Sequence, residues 1–280
     1  MEIVTDPAAL RAELDAARAR GARIGFVPTM GYLHDGHGSL MRAARESCDV
    51  SVVSIFVNPL QFGANEDLDR YPRDEERDGA ICAAEGVDVV FRPSVEVMYG
   101  DGDGFTIDVG EIGTILEGAS RPGHFNGVAT VVAKLFNIVG ACRAYFGEKD
   151  AQQLVVIRRL VESFDIPVEI VACPTIREHD GLAMSSRNAY LDDADRAAAV
   201  VLSRALFDAR AAIQAGERDP NVIVTTMRAT ITSEPRANID YVAAVDPRTL
   251  APLERIEHAV LLLLAVRFGG TRLIDNLVVG

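Results

Sequence analysis

Strands and helices alternate over the first 175 residues of the 280-residue chain, which predicts an α/β fold. The expected architecture is a doubly wound parallel sheet followed by a smaller α+β unit. Three observations carry this. Apolar runs at Ile24–Val27, Val50–Val57, Val87–Phe91, Ala144–Phe146 and Val168–Ala172 are separated by helical patterns. Val50–Val57 is nearly continuous and β-branched, as suits a strand covered on both faces of a parallel sheet. After Asn188 the pattern changes to two helices and then three short strands.

Taken in order, Asp6-Pro7 caps a helix that runs to about Arg20 and stops at Gly21. The Ile24–Val27 strand feeds a turn and a helix ending near Ser47. After Val50–Val57 comes the loop Asn58-Pro59-Leu60-Gln61-Phe62, a charged helix over about 73–85, and the Val87–Phe91 strand. Met98–Gly104 is rich in turn residues. Its aspartates are suggestive of a calcium loop, but no glutamate stands at the required spacing. A long apolar helix is expected over 126–139, then the Ala144–Phe146 strand, Gly147-Glu148-Lys149-Asp150, a helix over 151–164 and the Val168–Ala172 strand. Pro174–Asn188 is polar. Helices over about 193–215 and 220–233 follow, and the strands Ala259–Phe268 and Thr271–Val278 flank Gly269-Gly270, a two-residue hairpin signal. The expected domains are 1–175 and 176–280, the first Rossmann-like, the second a lid expected to close over its ligand.

A net charge of −13 argues against a nucleic-acid groove and against an anionic membrane surface. A local basic cluster can still act within the screening length of about 8–10 Å. Of the 28 basic residues only Lys134 and Lys149 are lysines. Cys48, Cys82, Cys142 and Cys173 are scattered, which fits reduced core thiols better than a disulfide framework or zinc. Neither a targeting peptide nor an apolar run long enough to span a bilayer is evident, and the expected location is the cytoplasm.

The chemistry centres on Phe26-Val27-Pro28-Thr29-Met30-Gly31-Tyr32-Leu33-His34-Asp35-Gly36-His37. A strand, a turn and a polar helix start aim backbone N–H groups and the positive end of a helix dipole at one spot, a phosphate site in outline. Imidazoles three residues apart can share a face and donate to phosphate oxygens. They can also chelate a metal or serve the fold alone. Three further polar clusters follow strands: Asn58/Gln61, Gly147–Asp150 and the Pro174–Arg187 loop. In parallel sheets ligands bind at the carboxyl ends of strands, so these clusters are expected on one rim. Lys149 can be an ion-paired surface lysine, yet it opens a helix, where the dipole disfavours a cation and function can justify the cost. Lys134 reads as solvated, and Gln61 and Gln153 can be surface amides. Ser185-Ser186-Arg187 is a weak signal alone, but a mobile set of such donors suits charge building on a transferring phosphate.

Five segments occur in order: Phe-Val-Pro-Thr-Met-Gly-Tyr-Leu-His-Asp-Gly-His (26–37), Phe-Val-Asn-Pro-Leu-Gln-Phe (56–62), Tyr-Pro-Arg (71–73), Gly-Glu-Lys-Asp (147–150) and Asp-Gly-Leu-Ala-Met-Ser-Ser-Arg-Asn (180–188). Together they resemble the pantoate–β-alanine ligase family of the HIGH-motif nucleotidyltransferase superfamily, across nearly the whole chain. The resemblance implies a cytoplasmic, homodimeric enzyme of pantothenate biosynthesis, on the route to coenzyme A. Its substrates are pantoate, β-alanine and ATP with Mg²⁺, and it uses neither nucleic acid nor membrane. Pantoate attacks the α-phosphorus, pyrophosphate leaves, and β-alanine then converts pantoyl adenylate to pantothenate and AMP.

By matching position, Met30, Gly31, Tyr32, Leu33, His34, Asp35, Gly36 and His37 line ATP, and His34, His37, Lys149 and Arg187 are the catalytic candidates. Glu148 lies in the ATP segment with Lys149. Gly147 and Asp150 hold the ribose, the Ile176 backbone meets adenine, and Met184, Ser185, Ser186 and Arg187 hold phosphates. Gln61 and Gln153 grip pantoate, with Asn58 nearby and Arg121 and His124 on a flanking loop. Three positions depart from the family pattern. Gly38 replaces a bulky aliphatic, Ala151 an aromatic, and Arg77-Asp78 an acidic pair that leaves Asp78 the candidate Mg²⁺ ligand. A HIGH-motif nucleotidyltransferase that keeps its adenylate would lack the pantoate-gripping glutamines, and a non-catalytic nucleotide-binding module would tolerate damage to His34, His37 or Lys149.

Overall fold

The computed structural model describes residues 1–64, 66–100 and 104–280. In chain order the elements are β1 (Glu2–Val4), α1 (Pro7–Ala19), β2 (Ile24–Thr29), α2 (Asp35–Ser47), β3 (Val50–Ile55), α3 (Glu75–Ala84), β4 (Val89–Phe91) and α4 (Val95–Tyr99). Then come α5 (Glu117–Ser120), α6 (His124–Val139), β5 (Cys142–Gly147), α7 (Ala151–Ser163) and β6 (Val168–Cys173). The chain closes with α8 (Asp193–Ala198), α9 (Val201–Gln214), α10 (Pro220–Thr232), β7 (Ala237–Val245), β8 (Val260–Phe268) and β9 (Thr271–Val279).

Residues 1–148 and 153–174 form one compact unit, and 149–152 with 175–280 form the other. The expected division at 175/176 therefore lies one residue earlier, and the Lys149 segment groups with the second unit.

In the first unit six parallel strands run in the order β1-β4-β3-β2-β5-β6. The chain leaves β2 outward through β3 and β4, then crosses back to β5. The reversal places the β2–α2 turn at the switch point of the sheet, where such folds bind ligands. Successive strand residues serve opposite faces. Phe26, Val52, Phe91 and Phe146 pack with Leu10 and Leu14 of α1, Leu135 and Phe136 of α6, and Ile157 of α7. Val27, Val53, Val90 and Tyr145 pack with Leu40 and Met41 of α2 and Cys82 of α3. Two covered faces explain why these strands read as unbroken apolar runs.

In the second unit β7, β8 and β9 form an antiparallel sheet whose Leu262, Leu264 and Val266 pack on Leu202, Leu206 and Ile223 of α9 and α10. Gly269, at φ 54°, turns the β8–β9 hairpin.

Several boundaries differ from expectation. β1 is an added strand, three residues long with only Val4 buried, too short to show a period. The helix expected over 193–215 is two helices, broken at Ala199-Val200. The charged helix starts at Glu75, because Asp74 caps it by accepting from the Arg77 N–H at 3.0 Å. The long apolar helix starts two residues early, at His124, after Gly123 in the left-handed region. Of the turn-rich stretch, Met98 and Tyr99 belong to α4, and 101–103 lie outside the described residues. Burial pushes the thiols of Cys82 and Cys142 up to about 12, in keeping with core cysteines.

Candidate active site

The β2–α2 turn is built by a few specific bonds. Thr29 Oγ1 donates to the Ser54 carbonyl at 2.7 Å and accepts from the Gly31 N–H at 3.2 Å. Gly31 sits at φ 83°, and a Cβ there would stand 2.9 Å from Asp78 Oδ2. Glycine satisfies both constraints. Asp78, buried in the first turn of α3, accepts from the Tyr32 N–H at 2.8 Å and the Leu33 N–H at 2.7 Å. The Arg77 guanidinium lies 4.9 Å from the centre of the Tyr32 ring. Each Asp78 carboxylate oxygen accepts from one backbone donor, so the residue anchors the turn. No sequence pattern near Asp78 points to a partner 46 positions away.

His34 caps α2. Its Nδ1 accepts from the Gly36 N–H at 3.1 Å, and His37 Nδ1 accepts from the His34 N–H at 3.3 Å, a reciprocal capping box. Two acceptor Nδ1 atoms assign the proton of each neutral ring to Nε2. The rings stand 4.1 Å apart, so two Nε2 donors accompany the helix terminus. Gly38 stands in the first turns of α2. A Cβ there would stand 2.7 Å from Glu85 Oε1, because the space is taken by the Arg42–Glu85 ion pair.

The turn after β3 adjoins the same region. Gln61 Nε2 donates to Met30 Sδ at 3.2 Å, so the loop after β3 touches the start of the β2–α2 turn, as suits neighbouring strands. Asn58 is fully engaged. Its Oδ1 accepts from Tyr99 Oη at 2.7 Å and the Leu60 N–H, and its Nδ2 donates to Gln61 Oε1 at 3.0 Å and the Gly127 carbonyl. Burial raises the pKa of Tyr99, which keeps its hydroxyl a donor. Gly127 lets α6 approach, since a Cβ there would lie 2.2 Å from the Leu60 carbonyl.

Arg121 and His124, expected on a loop flanking the substrate, are hydrogen-bonded to each other and to neighbouring residues. Arg121 pairs with Glu66 through Nε at 2.8 Å and Nη2 at 2.6 Å, and its Nη1 donates to His124 Nε2 at 3.0 Å. His124 Nδ1 then donates to the Gln61 carbonyl at 2.8 Å. Glu66 escaped sequence reasoning altogether. Burial works to raise its pKa, and the Arg121 hydrogen bonds and charge outweigh burial and hold it below the usual carboxylate value.

In the second unit Lys149 occupies the 3₁₀ turn Glu148–Asp150, its Nζ 3.9 Å from Asp150 Oδ1. The Lys149 carbonyl accepts from Asn276 Nδ2 at 2.7 Å. Ile176 and Met184 are joined by a backbone bond of 3.0 Å, and Arg177 bridges Ala183, so 176–184 is a small hairpin. Gly181 turns it, at φ 95°. Ser185 Oγ accepts from the Arg187 N–H at 3.3 Å and caps the turn Ser186–Tyr190. On either side of Ser185–Arg187, Arg196 binds Glu178 at 2.6 Å and Asp180 at 2.8 Å, and Asn188 binds Glu178. Gly147 ends β5, Gln153 lies on α7, and both belong to the first unit. Ala151 begins α7 without disturbing it.

The family model described as pantoate-beta-alanine ligase matches residues 2–278. The chain belongs to that family. It is a ligase, and its reaction is the joining of pantoate to β-alanine. It is similar to the pantothenate synthetase of Moorella thermoacetica, 56% identical over 278 residues, covering 99% of this chain and 98% of that one. The pantothenate synthetase of Heliobacterium modesticaldum is 58% identical over 259 residues, 92% of each chain. Among solved structures, pantothenate synthetase from Thermus thermophilus superposes with a TM-score of 0.94 at 48% identity over 99% of both chains. Pantoate-beta-alanine ligase from Francisella tularensis, complexed with beta-gamma ATP and beta-alanine, gives 0.81 at 36% identity over 99% of this chain and 97% of that one. The family confirms the doubly wound sheet with its smaller antiparallel companion.

Proposed function

We propose that the protein condenses (R)-pantoate with β-alanine through an enzyme-bound pantoyl adenylate, at the cost of ATP. A pantoate carboxylate oxygen bonds to the α-phosphorus as the bond to pyrophosphate breaks. The β-alanine amine then bonds to the activated carbonyl carbon, loses its proton, and AMP departs with the bonding electrons. Adenylation is the physically necessary step, since a carboxylate oxygen leaves far less readily than AMP.

His34 and His37, with Met30–Gly36, receive the phosphates and adenosine. The capping box carries this reading, because it turns an Nε2–H of each ring, rather than Nδ1–H, to developing negative charge. Lys149, Ser185, Ser186 and Arg187 supply further donors to phosphate, and His37 acts by stabilising charge more than by giving up a proton. Gly147, Glu148 and Asp150 attend the ribose side, and Ile176 the adenine. Gln61 and Gln153 grip pantoate. Asn58, Arg121 and His124 support Gln61 through the bonds described above. The Francisella protein's complex with a nucleotide and β-alanine supports the choice of substrates.

Mg²⁺ would neutralise phosphate charge when bound. The described residues contain no cluster of three His, Cys, Asp or Glu side chains suited to a metal, and Asp78 is committed to backbone donors. The nucleotide's phosphates and water would supply most of the ion's ligands. We also place the enzyme in the cytoplasm as a homodimer. Four free cysteines suit a reducing compartment, and no helix among the described residues is long and apolar enough to cross a membrane.

Pyrophosphate–ATP isotope exchange tests the adenylate. Exchange should require pantoate and proceed without β-alanine. A folded sample that exchanges nothing with pantoate present would overturn the proposal, and exchange sustained by a different acid would favour another nucleotidyltransferase of the superfamily.

A further inference from the structure

β9 breaks its own pattern. Asp275 and Asn276 stand consecutively inside an apolar strand, between Leu273-Ile274 and Leu277-Val278-Val279, and both are buried. Alternation sends their side chains to opposite faces, so each needs its own partner. Burial of unpaired polar groups is costly, and here both are paired.

Asp275, 1% exposed, is gripped by Arg177 through Nη1 at 2.7 Å and Nη2 at 2.9 Å. Arg177 is itself seated, 5.3 Å from the centre of the Phe207 ring. β9 is an edge strand, and the main-chain groups of Asn276 are bound on the spot. The Asn276 N–H donates to Asp275 Oδ1 at 2.7 Å, and its carbonyl accepts from Arg177 Nη2 at 3.3 Å. With its backbone fixed by both neighbours, Asn276 extends its amide and donates to the Lys149 carbonyl at 2.7 Å. Arg177 Nη1 also donates to the Gly181 carbonyl at 3.0 Å, which hangs the hairpin before Met184–Arg187 from the same brace.

We infer that Asn276, braced by Asp275 and Arg177, is a positioning residue for Lys149. The inference rests on the reading of Lys149 as a cation for the ATP phosphates. A lysine has a flexible four-carbon stem, and a hydrogen bond to the main chain at its base sets where that stem starts before substrate arrives. Small displacements of a catalytic group are expensive, roughly 10²-fold for about 1 Å. Arg177 is part of the same device, since it locks the carboxylate that in turn holds Asn276.

The test uses the full chain in pantoate-dependent pyrophosphate–ATP exchange, with Asn276→Ala, Lys149→Ala and the double variant. Asn276→Ala should lower the exchange rate roughly 10–50-fold, with an unchanged circular dichroism spectrum. In the Lys149→Ala background the same substitution should cost less than about twofold, because its route of action is gone. Asn276→Asp has nearly the same size but cannot donate as a carboxylate, and it should reproduce the loss. It also decides the matter if the alanine variant melts below assay temperature. An unchanged rate in both Asn276 variants, or an equal loss with and without Lys149, would overturn the inference while leaving Lys149 in its role. A wild-type rate for Lys149→Ala would overturn the phosphate reading of Lys149, and the inference with it.

Discussion

The His34/His37 turn and the Lys149 turn present donors in two different ways. At the first, the donor directions are set within four residues, since each imidazole is locked by a backbone N–H of the other's segment. At the second, the cation ends a flexible stem, and its base is held by a residue 127 positions away. The difference separates two kinds of vulnerability. Removing the Lys149 ammonium deletes a charge and leaves the scaffold intact. Loosening the histidine turn requires cutting the backbone's anchor, Asp78.

The largest expected effect sharpens that contrast on the Lys149 side. Lys149→Ala should slow adenylation by about 10²–10³, equivalent to roughly 3–4 kcal/mol, as for loss of one oriented donor. Its melting temperature should stay close to that of the parent, because the nearest carboxylate is a loose 3.9 Å away. Isotope exchange and a thermal melt measured on one preparation would check both halves, and a large drop in melting temperature would erase the distinction.

Asp78→Ala should do the reverse, lowering stability first. Two charge-assisted bonds to backbone N–H groups, one buried and one part-buried, are lost, a destabilisation of about 3 kcal/mol in urea unfolding. Stability within about 0.5 kcal/mol of the parent would return Asp78 to the metal reading.

Glu66→Gln ranks next, at about 1 kcal/mol after allowance for solvent screening of the partly exposed pair. The sign with pH follows from the lowered pKa of Glu66. Its ion pair with Arg121 contributes fully above the unfolded value near 4.5 and is lost as pH falls through the lower folded value. Parent and variant stabilities should therefore converge as pH falls through that lowered folded value, and a gap that persists in stronger acid would show that charge is not what holds the loop.

The smallest effect belongs to Gly38→Ala. Alanine favours a helix by about 1 kcal/mol, and the added Cβ displaces the end of the exposed Arg42–Glu85 pair, worth roughly as much. Net stability should move by less than about 1 kcal/mol, and pantoate-dependent exchange should stay within a few-fold of the parent.

Sequence reading reached the sheet because its strands are buried on both faces and its helices on one, so periods of two and of about 3.6 survive in the residues themselves. It reached the histidine turn for a related reason, since a capping box is closed by neighbours. It missed β1, whose three residues gain order only by pairing with β4. It did not find the partners of Arg121 and His124, because residue type does not reveal that Glu66 and the Gln61 carbonyl are waiting for them. One overlooked signal was present. Two adjacent polar residues inside the apolar run of β9 announce buried partners, although not which ones.

By itself, then, the sequence determined the alternating α/β order, the hairpin at Gly269-Gly270, the strand–turn–helix that carries His34 and His37, and through its motifs the ligase family. Those depend on contacts within a turn or on patterns repeated along the chain. Only the tertiary structure decided that Asp78 anchors a loop, that Glu66 and Arg121 hold Gln61, and that Asn276 carries Lys149. Each is a single hydrogen-bonded pairing between distant segments, and a side chain's chemistry permits many such partners until the fold selects one.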